Sequence, residues 1–223
     1  MNQPLTFTTP ARDRDPRTIT VELCGEEIQV DRPKDATLYF TQTAIGDTAS
    51  AGDQAMAVLQ FIDGTLEAAQ RQRFYQRICD RTDQVDLAAC IDLLSGLFAR
   101  WGDWDNAPTQ PLVVTSDHRP TEGREVPVDQ TELDLHVTAH PPKDIIRFLA
   151  ASSLASTANL GQQSWALGLF LDAALESVDA HLIARRMRDQ TDGLDLEHVA
   201  EIVQGLVERW NAGNRAERRH AAQ

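Results

Sequence analysis

The stretch "DRTDQVDLAACIDLLSGLFARW", from Asp80 to Trp101, decides the fold because the chain contains it nearly twice. Asp189 to Trp210 reads "DQTDGLDLEHVAEIVQGLVERW", at a separation of 109 residues. Extending this alignment without gaps to residues 33–102 and 142–211 gives 22 identical residues in 70 pairs. The period is too long, and the copy number too low, for a solenoid. We therefore predict two tandem copies of one small domain.

Each copy is predicted to begin with a β-hairpin. "TITVELCGEEIQV" (18–30) alternates apolar and polar residues on both sides of Cys24-Gly25, and "EVPVDQTELDLHV" (125–137) does so around Asp129-Gln130. Such alternation around a short polar or glycine-containing turn is typical of a hairpin. Asp35 and Asp144 follow the hairpins, and we expect their carboxylates to cap the next helix.

Four helices are predicted after each hairpin, in the second copy at about 145–155, 160–175, 179–188 and 196–210. The last helix carries apolar residues at i, i+3 and i+4 spacing that end in Trp210, and its counterpart ends in Trp101. Both tryptophans are expected to be buried, as is Cys90 within the first stripe. The predicted fold class is α+β, mainly α: two tandem copies of a β-hairpin followed by a small four-helix bundle.

The predicted boundaries follow from this pattern. Residues 1–110 form the first copy (hairpin 18–30, helices 36–101), and 125–223 form the second (hairpin 125–137, helices 145–211) with a short C-terminal tail. The linker is placed at 111–124, which overlaps a stretch rich in Pro, Asp, Thr and Gly from 102 to 123. Its "PLVVT" could instead pair as an extra strand.

Composition excludes several classes of function. The net charge is −13, from 34 acidic and 21 basic residues, which disfavours a nucleic-acid-binding protein. No apolar run approaches the roughly 20 residues of a membrane span, and the first residues lack the apolar core of a secretory signal. The three cysteines show no CxxC spacing, so neither zinc nor a disulfide framework is expected. A soluble protein of a reducing cytoplasm is predicted.

The repeated D-x-T-D-x-x-D motif is the one cluster of possible metal ligands. Its aspartates lie three apart, unlike the ligands of an EF-hand loop. The favoured alternative is a turn followed by Asp86 or Asp195 as the N-cap of the last helix. The sequence contains no GxSxG, Walker or GxGxxG motif, and its histidines match no ligand spacing. We predict no catalytic residue, no cofactor and no metal; an enzyme with an unrecognised site is the alternative.

Lys34 and Lys143 are the only lysines of the chain and occupy equivalent positions. Each precedes a helix, where a cation opposes the helix dipole, so another interaction should favour it. One hypothesis is a salt link within the domain, and the other is contact with a partner.

The ordered motifs "RPKD" or "PPKD", "FID" or "FLD", R-x-x-D-x-x-D-x-x-DL and the final "RW" resemble tail assembly chaperones of long-tailed bacteriophages, in the compact type of phages with GC-rich genomes. That family is single-copy, whereas this chain has two copies. The resemblance implies a non-enzymatic protein of the host cytoplasm. It would bind the helical tape-measure protein, bring tail-tube protein to it and leave before the virion is complete. Neither nucleic acid nor membrane is a partner, and self-association is compatible with the role.

Apolar residues left open on the first helix of each copy are the predicted contacts with the client helix. The candidates are Leu38, Tyr39, Ile146 and Phe148, with Lys34 and Lys143 beside them. Two copies on a linker should bind one client bivalently. A structural or adaptor protein of the virion is the alternative function.

Overall fold

A computed structural model describes residues 17–46, 48–116, 125–155 and 160–221. Within these ranges it has eight α-helices and five short strands, which confirms the predicted α+β class with mainly α-helical content. We call residues 17–116 the first half and residues 125–221 the second half.

The first half begins with a hairpin of β1 (Thr18–Leu23) and β2 (Glu26–Asp31), in which Val21 lies opposite Ile28. Cys24 and Gly25 both have positive φ, 48° and 81°, which two-residue hairpin turns require. The predicted turn is therefore confirmed. Four helices follow: α1 (Asp35–Ala44), α2 (Ala51–Thr65), α3 (Ala68–Cys79) and α4 (Leu87–Gly102).

The chain after α4 returns to the hairpin instead of leaving as a linker. A 3₁₀ turn (Trp104–Asn106) leads to β3 (Leu112–Val114), which pairs in parallel with β1 and completes a sheet of order β2-β1-β3. Arg100 donates to the Gln110 and Pro111 carbonyls and so holds the returning segment. The prediction of a linker from residue 111 is wrong, and "PLVVT" supplies the extra strand. Residues 117–124 of the predicted linker lie outside the described residues.

The second half also begins with a hairpin and continues with four helices. Its hairpin consists of β4 (Val126–Gln130) and β5 (Leu135–Ala139), joined by a 3₁₀ turn (Thr131–Leu133). The prediction of a turn at Asp129-Gln130 is wrong, because Gln130 still pairs with Leu135. The reversal comes at Asp134, whose φ of 46° is a conformation that Asp tolerates. The helices are α5 (Asp144–Ala155), α6 (Leu160–Ala174), α7 (Ser177–Arg186) and α8 (Leu196–Ala221).

The predicted caps divide into two groups. Asp86 and Asp195 cap α4 and α8, since each carboxylate accepts the backbone N–H three residues later. Asp35 and Asp144 do not cap: each is the first residue of its helix and forms an ion pair, Asp35 with Arg32 and Asp144 with Arg147. Their charge lies in the first turn and still interacts favourably with the helix dipole.

Two tryptophans anchor the last helix of each half. Trp101 is 4% exposed and Trp210 is 6% exposed, which confirms that both are buried. Trp101 lies 6.2 Å from Phe61 and Trp210 lies 6.1 Å from Phe170, ring centroid to ring centroid. Cys90 is completely buried in the same apolar layer, and burial raises the pKa of its thiol.

The two halves pack directly against each other. Helix α2 lies along α5, and α3 contacts both α5 and α6. A Cβ on Gly52 would lie only 2.4 Å from the Cβ of Ser152, so glycine permits this close approach. Tyr75 and Trp165 meet edge to face across the same boundary, with ring centroids 6.2 Å apart. The two halves are therefore joined by direct packing and not by the chain between them alone.

We expect Trp210→Ala to lower the free energy of unfolding by about 3–5 kcal/mol, because it removes a buried indole and leaves a cavity. Chemical denaturation of the full chain measures this. Val178→Ala, at a position 76% exposed, is the control and should change stability by less than about 0.5 kcal/mol. Equal effects of the two changes would show that α8 is not docked through Trp210.

Candidate functional site

The repeated arginine of the D-x-T-D-x-x-D region ties the turn to the hairpin. In the first half the Arg77 guanidinium donates from Nε to Asp83 (2.8 Å) and from Nη1 to the Leu23 carbonyl (2.9 Å). In the second half Arg186 donates from Nε to Asp192 (2.8 Å) and from Nη2 to the Leu133 carbonyl (2.6 Å). Each arginine therefore bridges the end of its helix, the motif and the hairpin turn.

The remaining motif aspartates bond within their own turn. Asp80 accepts the backbone N–H and the hydroxyl of Thr82, and Asp189 accepts the same two groups of Thr191. These hydrogen bonds hold the pKa of Asp80 and Asp189 below its usual range. Across the described ranges no three His, Cys, Asp or Glu side chains are grouped so that they could hold a metal ion. The motif is a structural turn, as the favoured sequence hypothesis stated.

We expect stability to fall in acid through these carboxylates. A group whose pKa is lowered by folding stabilises the protein above its unfolded pKa, here 3.8, and loses that contribution as pH falls through the folded value. Denaturation between pH 6 and pH 2 measures the decline. The double variant Thr82→Val, Thr191→Val removes the hydroxyl donors and should make the loss of stability between pH 6 and pH 2 smaller. An unchanged pH dependence in this variant would contradict the role of these hydrogen bonds.

The two lysines have opposite environments although their local sequences match. Lys143 is 1% exposed, and its Nζ crosses into the first half to donate to the carbonyls of Arg77 (2.8 Å) and Val85 (2.9 Å). Desolvation lowers the pKa of Lys143, and the nearby charges of Asp83 and Asp80 oppose this shift. Lys34 is exposed. The prediction that Lys143 binds a partner is corrected: it joins the two halves.

The four apolar residues predicted to contact the client differ in their exposure to solvent. Tyr39 is 68% exposed and Leu38 is half-buried. Ile146 is completely buried and Phe148 is half-buried between the halves, so Ile146 is wrong as an open partner contact. Helix α5 is covered because it packs on both α2 and α6. Helix α1, in contrast, packs chiefly on α2.

We expect Lys143→Ala to lower the free energy of unfolding by about 2–4 kcal/mol, because two buried carbonyls lose their donor. The matched control is Lys34→Ala, the same change at the equivalent exposed position, which should alter the stability of the monomer by less than about 0.5 kcal/mol. Both are measured by urea denaturation. A Lys143→Ala variant as stable as Lys34→Ala would contradict the bridging role.

An apolar groove lies between α1 and α2 of the first half. One cavity of about 480 Å³ and an adjoining one of about 350 Å³ share Ala44, Ala57 and Gln60. Phe40 forms one wall and is 70% exposed, and its ring meets Tyr39 edge to face at 5.8 Å. We call this feature the α1–α2 groove; its lining residues are Thr37, Phe40, Thr41, Ala44, Ala49, Asp53, Met56, Ala57, Gln60 and Phe61.

The equivalent position in the second half is closed. Residues 37, 40, 41 and 44 correspond to 146, 149, 150 and 153, all of which are 1% exposed or less. Thr37 and Thr41 stand where Ile146 and Ala150 stand, so α1 offers less apolar surface to hold it against α2. Phe40 was missed as a candidate, and comparing these four positions between the repeats is the signal that could have found it.

None of the helices that the structure describes is long and apolar enough to cross a membrane.

Comparisons with known proteins return no relative. No family model matches the chain, and neither a curated protein nor a solved structure is significantly similar to it.

Proposed function

We propose that this chain is a phage tail assembly chaperone that binds an amphipathic helix of a tape-measure-type client in the α1–α2 groove. In this proposal the chain consists of two tandem copies of a hairpin and four-helix unit and acts in the host cytoplasm without catalysis. The single observation that carries the proposal is the open apolar groove lined by the exposed Phe40.

The recurrence of contacts supports two copies of one unit. The arginine Nε–aspartate hydrogen bond, the threonine hydroxyl–aspartate hydrogen bond and the N-cap aspartate recur 109 residues apart with the same bonding atoms. The Phe61–Trp101 and Phe170–Trp210 pairs recur at the same spacing. Together with 22 identities in 70 aligned residues, these contacts favour a duplicated unit.

The shape of the groove supports a helical ligand. Helix α1 has ten residues and so spans roughly 15 Å, about the length of three turns of a docked helix. A helix of that length presents apolar side chains at i, i+3 or i+4 and i+7, the spacing used in helix-in-groove recognition. Ala44 and Ala57 leave room for such side chains, and Phe40 can pack over them.

Charge supports a client with basic residues beside its apolar face. The chain carries a net charge of −13, and Asp53 lies in the lining of the groove. Acidic surface around an apolar site attracts basic flanks and chiefly raises the association rate, an effect that salt screens. A tape-measure-type helix with Lys or Arg beside its apolar stripe would fit this description.

The geometry favours one client site in each chain instead of the two that a duplication suggests. The groove is open in the first half, while Leu149 and Ala150 fill the equivalent space in the second. The second half would then support the first half through α5. We accordingly propose a stoichiometry of one client helix per chain.

We expect Phe40→Asp and Ala44→Arg in the full chain to weaken client binding at least tenfold, because each places charge in the apolar groove. The client is the longest helical reading frame beside this gene, and the readouts are co-expression pull-down and titration of a labelled client helix. Val113→Asp, at an exposed apolar position on β3, is the control. Groove variants that bind as tightly as the unsubstituted chain would contradict the proposal.

Mass spectrometry of purified virions separates the chaperone from the adaptor. A chaperone that leaves before completion should be missing from the particle, and an adaptor should be present in fixed copy number. Detection at fixed stoichiometry would overturn the chaperone role and leave the groove as an assembly contact.

A further inference from the structure

The interface between the two halves joins two different faces. The second half contributes Lys143, Phe148 and Ser152; with Ile145, which shares their side of α5 at i, i+3 and i+7 spacing, we call them the donor face. The first half contributes Gly52 and the carbonyls of Arg77 and Val85; with the buried Ala55 and Leu59, which share the side of Gly52 on α2 by the same spacing, we call them the acceptor face. Such an interface is heterologous, because neither half presents to the other the face that it receives.

By the repeat, the first half also has residues equivalent to the donor face, and the second half has residues equivalent to the acceptor face. In the first half, the equivalents of the donor face are Lys34, Ala36, Tyr39 and Thr43, and all four are exposed. In the second half, the equivalents of Gly52, Ala55 and Leu59 are Gly161, Ser164 and Gly168, and all three are exposed. The chain therefore presents an unoccupied donor face on its first half and an unoccupied acceptor face on its second half.

We propose that these two faces bind each other between chains, so that the protein assembles head to tail. The donor face around Lys34 and Tyr39 of one chain docks on the α6 surface of a second copy. Lys34 Nζ there donates to the carbonyls of Arg186 and Leu194, as Lys143 donates to Arg77 and Val85 within the chain. The proposal rests on the packing between the halves and does not require the proposed client.

One free face carries a large aromatic side chain and the other carries only small residues. The free acceptor face has Gly161, Ser164 and Gly168 at its three positions. The free donor face carries Tyr39, which is 68% exposed, where the buried one carries the half-buried Phe148. A solvent-exposed aromatic side chain opposite glycine and serine is a typical anchor-and-pocket arrangement in protein interfaces.

The carbonyl site in the second half can accept the lysine. In the second half the Arg186 carbonyl accepts the backbone N–H of Asp189 at 3.0 Å. In the first half the equivalent N–H, that of Asp80, donates to the Gln76 carbonyl (2.9 Å), and the Arg77 carbonyl accepts Lys143 Nζ. A carbonyl oxygen has two lone pairs, so a second donor can join the first.

Head-to-tail association leaves the client site accessible. Ala36, Tyr39 and Thr43 share one side of α1, at i, i+3 and i+7. Thr37, Phe40 and Ala44 lie on another side of α1 and line the α1–α2 groove. A heterologous contact repeated from chain to chain forms either a ring or an open helical filament. Every chain in such an assembly would present one groove.

Sedimentation velocity of the full chain over a hundredfold range of concentration tests the proposal. We expect species larger than dimers to grow with concentration. Tyr39→Asp on the donor face and Ser164→Arg on the acceptor face should each raise the dissociation constant at least tenfold, and Lys34→Ala should do so as well. Val113→Asp, outside both faces, should assemble like the unsubstituted chain.

Mixing the two disabled chains distinguishes this arrangement from a two-fold dimer. The Tyr39→Asp chain retains its acceptor face and the Ser164→Arg chain retains its donor face, so an equimolar mixture should form a dimer and stop there. A monomer at all concentrations, a two-fold dimer that either substitution leaves intact, or a mixture that stays monomeric would each overturn the proposal.

Discussion

The packing of the two halves depends on one buried ammonium group. Lys143 is 1% exposed, and its Nζ donates to two backbone carbonyls of the other half, those of Arg77 and Val85. A buried charge is costly unless donors and acceptors are satisfied, so this geometry must be kept for the halves to stay together. One acceptor is the carbonyl of Arg77, whose guanidinium also holds the hairpin and Asp83. Arg77 thus connects the hairpin, the motif turn and the interface between the halves.

That interface makes two similar sequences behave differently. Helix α5 is enclosed between α2 and α6, and its apolar residues Ile145, Ile146 and Leu149 are completely buried. Helix α1 has no such second neighbour, and Tyr39 and Phe40 are exposed beside a groove. The proposed client site and the proposed self-association face are both consequences of this asymmetry. Under both proposals the two halves have different roles, although their sequences are similar.

Much of the local structure could be predicted because it depends on neighbours in sequence. The Cys24-Gly25 turn follows from hairpin alternation, and the caps at Asp86 and Asp195 follow from a short acidic side chain before an apolar stripe. The failures also have local causes. Asp134, not Asp129-Gln130, reverses the second hairpin because Asp can adopt positive φ, and Asp35 is the first residue of its helix, where its carboxylate pairs with Arg32 instead of capping. The candidate site was only half found: Tyr39 was named, while Phe40 and the groove depend on how tightly α1 packs on α2.

The sequence by itself determined the repeat, the mainly helical α+β class, the structural role of the aspartate motif and the burial of Trp101 and Trp210, since each rests on periodicity or on contacts a few residues apart. Only the tertiary structure decided the fates of Lys34 and Lys143. Both stand in the same "PKD" context, yet one is exposed and the other is buried against carbonyls 66 and 58 residues away. Burial depends on which surfaces of the folded halves meet, and no local pattern encodes that meeting. The same reason separates the closed α5 from the open α1.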